Sequence, residues 1–580
     1  MKSMQIKNAL LLCSAFIVSA IMLTVIQPPL SWAGLAWISL VPFILACSPA
    51  VKPGRLAIIS YLISLLYWLG NLYWIGPVTT AGWIAFCLYT GLLWPTLAVC
   101  LRYCRTKKIP LFLAVAVLFV GAERLQGLFL GGFFWRYLSH SQYANITLIQ
   151  IADIFGAAGV SFLIAMVNGL IAELIIAVSQ KNISKNLLKT ALVCAVLLAT
   201  IVYGRWRIGE SDKFIETGPL VASLQSNVPQ SVKQSHQASE QIFNELLQDS
   251  YASAEAGAEL IVWPETTVQA ILDKPVWPFL VCSEVNKIFD EKLREHSKNT
   301  AFILVGAYGG QIQQKNDTEI RLAKYNSAFL YEPDGKQAKE KYNKIHLVPF
   351  GEFIPFRKKL PLLYNLLMKF TPYDYDYTLD AGSKYTVFEM TNRKTADINS
   401  IDQIEKEKLN TKCYKFGVMI CYEDTVPAIA RKFTLDPDGR KKLDWLTNIS
   451  NDGWFVRFKN NKVSPSTELT QHTATCVFRA VENRLAVLRS VNTGISCLID
   501  TAGRIRNGFL AGTLPYLAMD RKGMSGWFLE RIPIDKRITF FSKYGQWLDF
   551  CCAACLCLLI IMQPLKRMSF LKKEPGNIKE

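Results

Sequence analysis

The sequence predicts two architectures in one chain: a polytopic α-helical membrane domain and a layered α/β domain held outside it. Three observations carry this expectation. Hydrophobic residues make up 51% of the 580, yet they gather in long runs over the first two hundred positions and in one further run near the C-terminus. Between those runs, short apolar strands alternate with segments of helical spacing. Lys and Arg collect in alternate loops between the apolar runs, as they do in multi-pass proteins.

A helix needs roughly 20 apolar residues to cross ~30 Å of hydrocarbon. Eight segments qualify: 9–26, 33–49, 56–75, 82–101, 110–130, 157–178, 187–204 and 546–563. The stretch 131–152 is aromatic and polar and reads as a loop or interfacial piece. Lys2 and Lys7 before the first run, with Ser31-Trp32-Ala33 after it, imitate a signal peptide. The apolar core is longer than a usual h-region and further spans succeed it, so an uncleaved anchor is expected.

Basic residues fix the expected orientation. One set of loops holds Lys52 and Arg55, then Arg102, Arg105, Lys107 and Lys108, then Lys181, Lys185 and Lys189, and the tail adds Lys566, Arg567, Lys572 and Lys573. The alternate loops QPPLSWA and GPVTTAG carry none. Both termini are therefore expected in the cytoplasm, with the middle of the chain outside. The formal charge of +18 is then largely topogenic, which argues against a nucleic-acid partner. Glu173 is the one acid well inside a span, and Glu123 and Arg124 lie near the end of another. No internal repeat or pair of interrupted helices accompanies them, so the bundle reads as a platform rather than a transporter. Cys551, Cys552, Cys555 and Cys557 in CCAACLC read as small hydrophobic residues, because no His or spaced Cys pair completes a metal site.

The expected domain map is a seven-helix membrane domain at 1–208, a catalytic domain at 218–520, a linker at 521–545, an eighth span at 546–563 and a basic cytoplasmic tail at 564–580. Within the outer domain, PLVASLQ (219–225), ELIVWP (259–264), AFILVGAY (301–308), 413–421 and 443–450 read as strands, with a hairpin around Asp334-Gly335. Helices are expected at 235–257, near 284–297 and at 465–485. Function in open sheets of this kind gathers at the carboxyl ends of strands, where Glu265 and Cys421 both sit. Two insertions stand apart. The charged 392–410 stretch reads as a surface loop. RKKLPLLYNLLMKF (357–370) is greasy and basic; it either dips into the outer leaflet or lids a lipid cleft, or else packs on its own domain.

The chemistry centres on GVMICYEDTVP (417–427), where Cys421 precedes Glu423 and Asp424. Neighbouring carboxylates hold a thiol proton on, whereas a nucleophile must lose it. Nucleophilic attack on a carbonyl also needs a proton acceptor and a group for the oxyanion. VWPETT (262–267) offers Glu265, and KYNKIHLVPFGEFIPF (341–356) offers Lys344 and Glu352. His346 and His472 form no Cys-His pattern. A carboxylate base, a lysine and a thiol complete an acyl-transfer set, and the ammonium offsets the acids beside Cys421. Asp424 is expected to cap the helix after it.

WPE with Glu265, YNKIHLVPFGE with Lys344 and Glu352, ICYED with Cys421, and SNDGWF (450–455) resemble the nitrilase, or carbon–nitrogen hydrolase, superfamily. The resemblance implies a nitrilase-like αββα sandwich. It makes Glu265 the proton acceptor, Lys344 the oxyanion stabiliser and Cys421 the nucleophile, with Glu352 and Glu423 positioning groups and Tyr422 shaping an acyl pocket. Seven spans, an outer domain and a final span resemble the superfamily's membrane-embedded acyltransferases. That likeness implies transfer of a fatty acyl chain from a phospholipid, through a cysteine thioester, to the N-terminal amine of a diacylglyceryl-cysteine on an apolipoprotein. No metal, nucleotide or other cofactor is implied. Relatives often carry a Trp near the position of Gln234, which this chain lacks. The alternative is a membrane-tethered amidase or nitrilase that uses the same three residues on water.

Overall fold

The computed structural model describes residues 2–128, 131–182, 184–228, 236–280, 283–314, 320–354, 360–368, 378–391, 412–459 and 462–571. The 392–410 insertion, Gln234 and both ends of the 357–370 segment lie outside them. The chain divides into two compact units. One holds Met1–Tyr73, Ala81–Arg205 and Gln546–Glu580; the other holds Trp74–Thr80 and Trp206–Gly545.

Among the described residues, the regular elements of the first unit are all helices. Among the described residues, four helices are long and apolar enough to cross a membrane: Pro53–Asn71, the Thr80–Thr106 pair, Ala157–Ser179 and the helix that begins at Leu187. Shorter apolar helices cover Ala9–Val25 and Trp547–Met562, and Leu111–Gln126 adds another. The segment 33–49, expected as a span, is instead a 3-10 turn (Ala33–Trp37) and a six-residue helix (Val41–Ala46). Six residues rise only ~9 Å. Asn168 holds this break: its Oδ1 accepts from Leu40 N–H at 2.8 Å and its Nδ2 donates to Ala36 O at 2.8 Å. Glu173, the isolated acid of the sequence, is paired with Lys189 and accepts from Leu111 N–H at 3.0 Å. The C-terminal helix Trp547–Leu571 is tied to its bundle where Arg124 lies 4.0 Å from Asp549 and over the Phe550 ring. The four cysteines of CCAACLC all lie on this helix and are free thiols.

The second unit is a two-sheet sandwich. Its first strands are β1 (Ile215–Gln225), β2 (Leu260–Val262), β3 (Val268–Ile271), β4 (Phe302–Gln314), β5 (Ile320–Tyr331) and β6 (Tyr342–Asn343). Next come β7 (Val387–Thr391), β8 (Cys413–Ile420), β9 (Trp445–Asn451), a small hairpin of β10 (Arg457–Lys459) and β11 (Lys462–Ser464), β12 (Ala486–Asn492), β13 (Cys497–Ile499), β14 (Ile505–Arg506) and β15 (Gly526–Asp535). One sheet runs β15-β1-β2-β4-β5-β6 with β3 beside β4; the other runs β14-β13-β12-β9-β8-β7. The centres are parallel, β1-β2-β4 in the first sheet and β8-β9-β12 in the second.

Serines join the two sheets face to face. Ser223 donates to Arg489 O at 2.8 Å, and Ser490 donates to Leu224 O at 2.8 Å and Val262 O at 2.9 Å. Helices His236–Glu255 and Ser283–Asn299 cover the first sheet, where Phe243, Leu246, Phe289 and Leu293 pack with Ile261, Trp263, Ile303 and Val305. Helices Pro427–Thr434 and Glu468–Asn483 pack on the second sheet. These layers make an αββα sandwich.

Residues 521–545, expected as a linker, differ from that expectation. Nine register pairs bind β15 antiparallel to β1 from Ile215↔Asp535 to Gln225↔Gly526. The reason is apolar: Phe528, Leu529, Ile532 and Ile534 are buried against the sheet, and a linker would have left them in water. The hairpin at Asp334-Gly335 forms as expected, with Gly335 at φ +79° in the turn between β5 and β6.

Candidate active site

Each candidate residue leaves the end of a strand. Glu265 follows β2 through Trp263-Pro264, Lys344 follows β6, and Cys421 follows β8. All three are buried, with Lys344 only 1% exposed. Lys344 Nζ stands 3.3 Å from Glu265 Oε1 and 2.8 Å from Glu352 Oε2. Glu352 Oε2 also accepts from Val348 N–H at 2.8 Å, which folds the loop after Lys344 back on itself.

Asn326, on β5, belongs to none of the motifs. Its Nδ2 donates to Glu265 Oε1 at 2.6 Å and to Glu352 Oε1 at 2.9 Å. It thus spaces the two carboxylates that share the ammonium. A single Asn within a strand carries no sequence signal for such a role.

The Cys421 turn explains the acids that trouble the sequence. Cys421 has φ +51°, the left-handed region, which costs a non-glycine residue of order 1–2 kcal/mol. Glu423 holds that turn. It accepts from Ile420 N–H at 2.7 Å, Ile345 N–H at 2.7 Å, His346 N–H at 2.9 Å and the Tyr342 hydroxyl at 2.8 Å. One carboxylate therefore stitches the backbone before Cys421 to the backbone after Lys344. Asn448 Nδ2 adds a bond to Cys421 O at 3.1 Å. Tyr422 is half-buried, its ring stacked near that of His346 with centroids 5.9 Å apart.

Asp424 is not a helix cap. The next helix begins at Pro427 with Val426 in the cap position. Asp424 is instead buried against His472, with Oδ1 2.7 Å from Nε2, and bonded to Arg489. A segment 48 residues away supplies its partner, which local spacing does not reveal.

Charge balance at the thiol differs from the expectation that Lys344 cancels the acids. Burial pushes the Cys421 thiol up, Glu265 adds to that, and Lys344 and His472 pull the other way without winning. The thiol keeps its proton at neutral pH, so a base is required. Burial by itself lowers Lys344, but Glu265 and Glu352 outweigh it and hold the ammonium above the usual lysine range. The site is a protonated thiol beside a permanent cation and a carboxylate.

Asp452, Glu468 and His472 bring one ligand atom each within 4.8 Å of one another, the one such group among the described residues. Arg489 already sits among these acids, bonded to Asp424 and 3.9 Å from Asp452 Oδ2. Arg489 and His472 are the cations that face Asp424 and Asp452 there.

The approach of β4 to Glu265 gives a test of its placement. A Cβ on Gly306 would stand 2.6 Å from Pro264 O and 2.7 Å from Glu265 Cα. Gly306→Ala is expected to displace the Glu265 turn, lowering stability by about 1–3 kcal/mol and turnover by at least tenfold. Thermal melts and an acyl-transfer assay check it; full activity with a lowered melting temperature would show that Glu265 tolerates the shift.

A buried carboxylate, lysine and strand-end thiol on a two-sheet sandwich define an acyl-transfer enzyme class that proceeds through a cysteine. A family model described as carbon-nitrogen hydrolase matches residues 220–522, and one described as apolipoprotein N-acyltransferase N-terminal domain matches residues 19–170. The chain belongs to the carbon-nitrogen hydrolase family, in its apolipoprotein N-acyltransferase branch, and is an acyltransferase. It is 29% identical to the apolipoprotein N-acyltransferase of Geobacter metallireducens, over 93% of this chain and 92% of that one. To the protein of the same name from Chlorobaculum tepidum it is 24% identical, over 92% of each. Among solved structures it is similar to an amidase from Nesterenkonia sp., at 12% identity and a TM-score of 0.33, over 56% of this chain and 94% of that one.

Proposed function

We propose that the chain moves a fatty acyl group from a membrane phospholipid to Cys421, and from there to the N-terminal α-amine of a diacylglyceryl-cysteine on an apolipoprotein. Glu265 takes the thiol proton as sulfur attacks the acyl ester carbonyl. The carbonyl oxygen becomes negative and lies against Lys344. The ester bond breaks, the lysophospholipid alkoxide leaves with the proton from Glu265, and a thioester remains. The amine then attacks the thioester, Glu265 receives its proton, and the amide forms as the Cys421 thiol is restored. Glu352 and Asn326 hold the Glu265–Lys344 pair; Glu423 holds the two loops together, and Tyr422 borders the acyl group.

The observation that carries this reading is the buried Lys344 shared by Glu265 and Glu352, with its charge bearing on the Cys421 thiol. A protonated resting thiol suits a ping-pong enzyme, because its base works only when an ester arrives. The distribution of Lys and Arg supports cytoplasmic termini and a periplasmic catalytic unit, which would place the site beside two lipid substrates. Leu362 on the helix Pro361–Met368 is 88% exposed and Leu360 is 51% exposed. Such apolar exposure supports a lipid-facing role for this segment.

Intact-mass analysis after incubation with phospholipid, without acceptor, tests the function. A fatty-acyl mass on Cys421 is expected, and none on Cys421→Ala. An unmodified wild-type protein under those conditions would remove the thioester route.

A further inference from the structure

A second constellation lies next to the nucleophile and is unused by these steps. His472, on the helix Glu468–Asn483, is only 2% exposed. Its Nε2 is 2.7 Å from Asp424 Oδ1, and its Nδ1 is 3.2 Å from Asp452 Oδ1 and 3.3 Å from Glu468 Oε1. A carboxylate oxygen at each ring nitrogen calls for a proton on each, which makes the ring an imidazolium. The charged and titratable groups facing it are Asp424 from the nucleophile turn, Asp452 from the turn after β9, Arg489 from β12, and Glu468 and Cys476 from its own helix. With Asp424 and Asp452 ionised, Arg489 and His472 balance them, and Glu468 is the acid left over.

The position of this cluster matters more than its charge count. Asp424 belongs to the same Cys421–Thr425 turn as the nucleophile. Asp452 opens the turn Asp452–Phe455, at the end of the strand whose Asn448 donates to Cys421 O. The ring therefore bolts the two turns that border the thiol. Its location has an electrostatic consequence too, since His472 acts on the Cys421 thiol in the same sense as Lys344.

We propose that His472 is a positioning residue for the nucleophile. Its imidazolium clamps the Cys421 turn to the Asp452 turn, and its charge favours the thiolate formed when Glu265 removes the proton. This role rests on Cys421 being the nucleophile. Glu468 tunes the effect. Burial and the neighbouring Asp452 charge push its carboxyl up, so it gains the negative charge that opposes the imidazolium only as pH rises.

The test is the alkylation rate of Cys421 by iodoacetamide in the full-length detergent-solubilised protein. It is read by mass spectrometry, with the exposed Cys413 as internal reference. Alkylation reports the thiol itself, so its outcome is separate from whether a lipid acyl group is transferred. His472→Gln keeps a donor and removes the charge; it is expected to slow Cys421 roughly tenfold at pH 8, equivalent to about one pKa unit. Glu468→Gln is expected to do the reverse, speeding Cys421 a few-fold at pH 8, with a smaller effect at lower pH as wild-type Glu468 takes up its proton. Packing damage cannot move two variants in opposite directions. If His472→Gln does not fold, the rise in Glu468→Gln at pH 8 alone decides. Equal rates in wild type and both variants, a fall in both that follows their melting temperatures, or a stoichiometric divalent ion in the purified protein would overturn the proposal.

Discussion

Lys344→Met is expected to abolish measurable acyl transfer and to lower stability together. Removing one oxyanion donor typically costs 10²–10³ in turnover, but here the ammonium has a second duty. It sits 3.3 Å from Glu265 and 2.8 Å from Glu352 in a buried site. Without it, two carboxylates face each other across Asn326 Nδ2 with no cation between them. Breaking a buried pair on one side costs about 3–5 kcal/mol. Part of that is relieved if the acids share a proton, and a proton held there disables Glu265 as a base. The loss should therefore exceed the effect of the oxyanion interaction alone, reaching about 10³-fold or more. Acyl-enzyme formation by intact mass, beside thermal melts, separates the two duties. A destabilised variant that still acylates at the wild-type rate would make Lys344 a counter-ion only. Arginine is not a substitute, since its planar fork does not place one point charge between two carboxylates.

Legibility in the sequence tracks the range of the interactions. Apolar runs and strand patterning are local, so the helical unit and the α/β unit can both be read before any geometry. The three candidate positions, Glu265, Lys344 and Cys421, are legible because each follows a strand within a recognisable word. Local reading fails where the partner is distant. Asn168 breaks the 33–49 helix from more than a hundred residues away. Asp424 looks like a cap because its true partners, His472 and Arg489, are far along the chain. The strand β15 reads as a linker because its pairing partner β1 lies some three hundred residues earlier. Charge is the hardest to judge. The presence of Lys344 suggests a thiolate, whereas the depth of burial, which composition does not disclose, keeps the proton on sulfur.

Glu423→Gln should separate the acid's structural work from its charge. The carboxylate offers acceptors to three backbone N–H groups and one hydroxyl. An amide keeps one acceptor oxygen and turns an NH₂ toward the donors left on the other side. With its oxygen on Ile345 and His346, the NH₂ meets the Ile420 N–H, and an orphaned buried donor costs about 1–3 kcal/mol. Because Ile420 precedes the strained Cys421 turn, activity should fall further than stability, by at least a hundredfold. The pH dependence adds a second reading. Burial pushes Glu423 up from its usual 4.5 to about 7, against the bonds it accepts. Between those values the native state holds a proton that the unfolded chain has released. Stability from this group is thus present below about pH 4.5 and lost as pH rises through about 7. Gln has no such titration, so the melting-temperature advantage of wild type over Glu423→Gln should be larger at pH 5 than at pH 8. A gap that stays constant across that range would mean the buried acid is ionised throughout, and that its hydrogen bonds, not its burial, govern the Cys421 turn.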